Sequence, residues 1–188
     1  MRSTLIAAAL ALAAISPVQA AALPSDGTWA GFAVDANLGP FSFGWVDDFN
    51  NNAPLSFSIT IAAGHVGTLT VVDTGFSGDR FNVYNGAALL GSTGAAVNAD
   101  SSESANAIVD YDAALANTDF SRGTFTLGAG SHVISGVMFA STTDAFGPLN
   151  ATIGGIKLTV SPVPEPATYA TLLIGLGLLL GTLRRRAA

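Results

Sequence analysis

Between Leu55 and Ile61 apolar and hydroxyl residues alternate without a break over seven positions, Leu-Ser-Phe-Ser-Ile-Thr-Ile. Period two sends successive side chains to opposite faces of a strand, so Leu55, Phe57, Ile59 and Ile61 are predicted to face a core. Ala62-Ala-Gly64-His65 interrupts the run and apolar positions resume from Leu69 to Val72, so the two runs are expected to pair as a hairpin. Asp73-Thr-Gly75-Phe76-Ser-Gly78-Asp79 reads as a loop of turn residues. Arg80 to Tyr84 then alternates again before Asn85-Gly86, a strong hairpin turn signal. Further strands are predicted at Thr28 to Val34, Phe41 to Val46, Gly123 to Leu127, Val133 to Phe139 and Ile156 to Val160, with Gly128-Ala-Gly130 as a turn. The one helix signal is short, at Asp112 to Ala116, with an aspartate as its expected cap. Short strands at spacings near ten residues, with little helix, predict an all-β fold, an antiparallel β-sandwich of jelly-roll or Ig-like kind. No fixed-period repeat points to a solenoid or propeller.

Both ends depart from this pattern. Arg2 precedes an apolar run of eleven residues, Leu5 to Ile15, followed by Pro17 and the small-residue stretch Val18-Gln19-Ala20-Ala21. That order reads as a cleaved secretory signal over residues 1–20, cut between Ala20 and Ala21. The run is short for a permanent span. At the other end, Ser161 to Thr168 carries three prolines within five positions and reads as an extended linker. Tyr169 to Leu183 is free of charge and rich in Leu and Gly, and Arg184, Arg185 and Arg186 close it. As a helix these fifteen residues reach about 22 Å, against about 30 Å of bilayer hydrocarbon. The three arginines are expected to stay cytoplasmic, which puts the preceding domain, residues 21–160, on the far side of the membrane.

Setting the ends aside sharpens the charge. Residues 21–161 hold three cations, Arg80, Arg122 and Lys157, against twelve acids, a net charge of −9. Such a domain repels phosphate backbones, so nucleic acid is excluded as a partner, whereas cations and neutral sugars are compatible with it. The same acidity also serves solubility. With no cysteine in the chain, disulfides, thiolate nucleophiles and thiolate metal sites are all absent.

Candidate chemistry inside the domain is sparse. His65 and His132 stand 67 positions apart without the spacing of a metal triad, and Ser77 lacks a nucleophile-elbow sequence, so no catalytic residue is assigned and no enzyme activity is expected. Asp47-Asp48-Phe-Asn50-Asn51-Asn52 places five oxygen-bearing side chains in six positions, and Asp73, Asp79 and the Asp100 to Glu103 stretch add more. Asp47, Asp48 and Asn50 are therefore candidate Ca²⁺ ligands, with ordinary turn formation as the alternative. Trp29, Phe41, Phe43, Trp45 and Phe49 crowd the N-terminal third. Trp29 and Trp45 are candidates for a sugar-stacking platform on extracellular polysaccharide, with core burial as the alternative.

The C-terminal order of Pro164-Glu165-Pro166, apolar span and basic end resembles the PEP-CTERM sorting signal, a region also called the ice-binding protein C-terminal domain. The resemblance covers residues 161–188: linker 161–168, membrane helix 169–183 and basic end 184–188. It implies that an exosortase, a membrane-embedded cysteine transpeptidase, acts near the tripeptide and passes the domain to the cell surface or the extracellular polymeric matrix. Until then the helix would anchor the chain in the membrane. Trp45-Val-Asp47-Asp-Phe49 also resembles the FxDxF element of one PEP-CTERM group, with Trp in place of the first Phe. The expected function is that of an exported, non-enzymatic structural or interaction protein; the alternative is a polysaccharide-binding module, Ca²⁺-dependent or not.

Overall fold

The computed structural model describes residues 19–37, 42–96 and 107–163. Thirteen strands and one short helix follow one another: β1 (Gln19–Ala22), β2 (Ala30–Asp35), β3 (Val46–Asp47), β4 (Ala53–Ile61), β5 (His65–Phe76), β6 (Arg80–Asn85), β7 (Ala88–Ser92), β8 (Ala107–Ile108), α1 (Tyr111–Ala116), β9 (Arg122–Leu127), β10 (Gly130–Ala140), β11 (Thr143–Asp144), β12 (Gly147–Pro148) and β13 (Ala151–Pro162). The all-β expectation holds. Eleven of the strands form one curled antiparallel sheet in the order β7-β6-β10-β4-β3-β2-β13-β5-β8, with β9 also on β5 and β1 also on β4, and β11 pairs with β12 apart from it. Every pairing is antiparallel except that of β1 with β4.

The two halves of the curl face each other across a single core. Leu55, Phe57, Ile59 and Ile61 of β4 are all buried, as their alternation predicts, and meet Leu69, Val71, Ile156 and Leu158 from the opposite half. An aromatic group closes one region of this core. Trp45 stacks on Phe32 at 4.1 Å and meets Phe57 and Phe81 edge-on. Gly136 makes room for it: a Cβ there would lie 2.2 Å from the indole. A smaller cluster of Val72, Ala114 and Phe120 seats α1 on the outer face of β5.

Several local expectations are corrected. β4 and β5 do not pair as a hairpin: β4 bonds to β10, β3 and β1, and β5 to β13, β9 and β8. The Ala62–Gly64 turn carries the chain from one half of the curl to the other, because both runs point apolar faces at the same core. A hairpin joins β6 to β7 as predicted, but its turn sits one residue later: Asn85 pairs with Ala88, leaving Gly86 and Ala87 to reverse the chain. β5 runs on through Asp73 to Phe76, where a loop was expected. The helix is capped by Asp110, whose carboxylate accepts from Ala113 N at 2.7 Å, and not by Asp112. Of the strand predicted at Phe41 to Val46, β3 keeps Val46, while Phe41 lies outside the described residues. Ser161 and Pro162, assigned to the linker, belong to β13, and a terminal proline needs no ladder N–H.

Candidate functional site

The sequence-predicted residues separate into three places. Trp45 is 2% exposed, a core residue whose indole no ligand can reach, which removes it as a sugar platform. Trp29 is half-buried. Its Nε1 donates to Asp112 Oδ1 at 2.9 Å, Lys157 Nζ sits 4.2 Å from its ring centroid, and Tyr111 packs beside it at 5.4 Å. The Trp29 indole N–H first, then Lys157, holds the exposed Asp112 carboxyl below its ordinary value.

Asp47, Asp48 and Asn50 lie on and before a 3-10 turn. Asp47 caps it, its Oδ1 accepting from Phe49 N at 3.1 Å. Asn51 and Asn52 take positive φ, the left-handed conformation that asparagine tolerates better than most residues. The turn pushes Phe49 into solvent at 97% exposure. Phe49, Asp47 and Asp48 line a cleft of about 300 Å³ with Tyr111 and Ile153. A neighbouring cleft of about 350 Å³ shares Asp48 and Ile153 and continues past Asp35 and Thr152 to Asp79. Tyr111 is seated against Gly31 and Gly155, where added Cβ atoms would lie 2.7 Å from its hydroxyl oxygen and 2.5 Å from its ring. Burial, and then the charge of Asp48, push its phenol up.

The second cleft ends on a feature the sequence reading placed in an exposed loop. Asp73 is 0% and Asp79 1% exposed. Asp79 N donates to Asp73 Oδ2 at 3.3 Å, Thr152 Oγ1 donates to Asp73 Oδ1 at 3.4 Å, and Thr142 N donates to Asp79 Oδ1 at 3.0 Å. Asp79 Oδ2 has no hydrogen-bond partner. Burial, and then the Asp79 charge, raise the Asp73 carboxyl well above its ordinary 3.8; burial raises Asp79 as well, against the lowering influence of Thr152, Thr142 and Ser141. Among the described residues the one ion pair is Lys157–Asp112, so neither buried carboxylate meets a lysine or arginine. The available sequence signal was Asp73 itself, an acid directly after Leu69 to Val72 in what is one long strand.

Ala20 and Ala21, the expected cleavage pair, lie in β1 opposite Ser56 and Phe57. Pro164, Glu165, Pro166, the span 169–183, Arg184, Arg185, Arg186 and the Asp100 to Glu103 stretch lie outside the described residues. Among the described residues no helix is long and apolar enough to cross a membrane.

Residues 162–187 match the model of the PEP-CTERM protein-sorting motif. The match begins at the last residue of β13, so the sorting tail follows the β domain directly. The motif makes this chain an exosortase-targeted secreted or surface protein. No curated protein matches the chain. Among solved structures it is similar to the pre-peptidase C-terminal domain of a collagenase from Bacillus anthracis, with 7% identity and a TM-score of 0.41, covering 77% of this chain and 98% of that one.

Proposed function

We propose that the β domain is a non-enzymatic surface or matrix module, held at the membrane by its tail until an exosortase releases it into the envelope or the extracellular polymer. The sorting motif at 162–187, abutting the final strand of an acidic β domain, carries this reading. The residues nearest to a catalytic set are engaged structurally, which supports a non-enzymatic role. Ser77 is a buried turn residue. His132 Nδ1 faces Asn85 Nδ2 and its Nε2 faces Gly128 O, both at 2.9 Å, joining two turns. The test is an epitope tag placed after Ala188 and followed in the native host. The tag should be lost from the mature protein and retained when Pro164, Glu165 and Pro166 are replaced by alanine; retention on the mature wild type overturns the proposal. A screen with chromogenic esters and glycosides addresses hydrolysis, and turnover would sink the non-enzymatic reading.

A second reading, polysaccharide recognition, is favoured by the exposed ring of Phe49 beside Tyr111, Asp47 and Asp48. A ring face offers a pyranose an apolar surface, and the acids accept hydrogen bonds from its hydroxyls. Phe49→Ala is expected to weaken binding to the host's extracellular polysaccharide about tenfold, a loss of about 1.4 kcal/mol. Equal retention of both proteins on the immobilised polymer would remove this reading.

A further inference from the structure

We propose that Asp73 and Asp79 form a divalent-cation site of Ca²⁺ type at the end of the cleft between the β5–β6 turn, the β10–β11 loop and the start of β13. The Asp79 backbone N–H donates to Asp73 Oδ2, which sets the two buried acids side by side, and among the described residues no basic side chain forms an ion pair with either. Asp79 Oδ2 is buried without a partner while its residue lines the cleft. An uncompensated buried anion is costly, and an orphaned carboxylate oxygen adds to that cost, so a bound cation explains both features at once.

The surrounding donors choose the ion. Thr152 Oγ1 bonds to Asp73, the Ser141 hydroxyl favours the anionic form of Asp79, and the Thr74 and Ile153 carbonyls adjoin Thr152 Oγ1 at 3.3 Å. All are oxygens, the set a hard cation prefers, with no histidine or thiolate among them. Ca²⁺ takes about six to eight oxygens, and carboxylates, hydroxyls and backbone carbonyls are the groups gathered here. Asp35 and Asp48 line the same cleft without bonding to either acid. The site is distinct from Asp47 and Asn50, and it stands independently of the sorting tail.

The experiment uses the full chain stripped with chelator. Millimolar CaCl₂ should raise the melting temperature by several degrees and equilibrium dialysis with radioactive Ca²⁺ should find about one ion per chain. Asp79→Asn keeps an oxygen to accept from Thr142 N but removes the charge; it should melt cooperatively and lose both the shift and the ion. Asp48→Asn should keep both. If Asp79→Asn does not fold, the dialysis count on the wild type and on Asp73→Asn decides. An absence of bound Ca²⁺ in the wild type, its persistence in Asp79→Asn or Asp73→Asn, or its loss in Asp48→Asn alone overturns the proposal.

Discussion

Trp45 and Gly136 show how a single position is decided by its neighbour. The indole is enclosed by Phe32, Phe57 and Phe81, and the Gly136 backbone closes the remaining side. Gly136→Ala must displace a ring that cannot swing away, so it is expected to destabilise the domain by about 1–3 kcal/mol, read from chemical denaturation. Asp73 and Asp79 make a second case. Their carboxyls titrate above the ordinary 3.8 in the folded domain, so between that value and their raised values the native state binds more protons than the unfolded chain. In chelator the burial penalty is relieved below this window, and stability should fall as pH rises through it. Melting temperatures measured in EDTA at pH values rising from 3.8 would show the decline, and a flat or rising profile would contradict it. The four buried positions of β4 were legible because alternation alone assigns faces. Asp73 and Asp79 were not, because the same Asp, Gly and Ser residues that make an open turn were covered by β13 and the loop at Ser141 and Thr142, elements about 60 to 80 positions away along the chain.

Among the elements, α1 is six residues long and too short to persist alone, so its supports are tertiary. Asp110 caps its N-terminus, Val72 and Phe120 receive Ala114, and Arg122 donates through Nη1 to Leu115 O and through Nη2 to Asn117 O. Asp110→Ala is expected to cost about 1 kcal/mol and to loosen α1 before the sheet, visible as faster amide exchange at Ala113. Asp112, two residues on, suits a cap equally by residue type, and the choice rests on which turn can lie against β5. Strand existence is legible in the sequence for β4, β6, β9 and β10, whose cores alternate. Strand partners are less so. Gly86-Ala87, with Gly86 at positive φ, makes a tight two-residue reversal, so β6–β7 is a local decision, whereas Ala62–Gly64 is compatible with either a hairpin or a crossing between the halves.

For the molecule as a whole, the order of exported domain and sorting tail lets one membrane passage deliver an acidic module to the cell exterior. Cleavage at the expected signal site predicts a mature protein starting at Ala21, leaving Ala21 and Ala22 to hold β1 against Phe57 and Ser58. Intact-mass measurement of the exported protein checks this, and a mass that retains residues 1–20 would contradict it. The sequence by itself determined the all-β character, the apolar faces, the acidity and the three-part tail, because each is a property of residues near one another along the chain: alternation, net charge, or a motif in order. Only the tertiary structure decided that the sheet is one continuous curl, that Trp45 is sealed and Phe49 bare, and that Asp73 and Asp79 meet out of water. Those outcomes depend on which distant segments pack together, and burial, unlike alternation, is conferred by partners that no local pattern names.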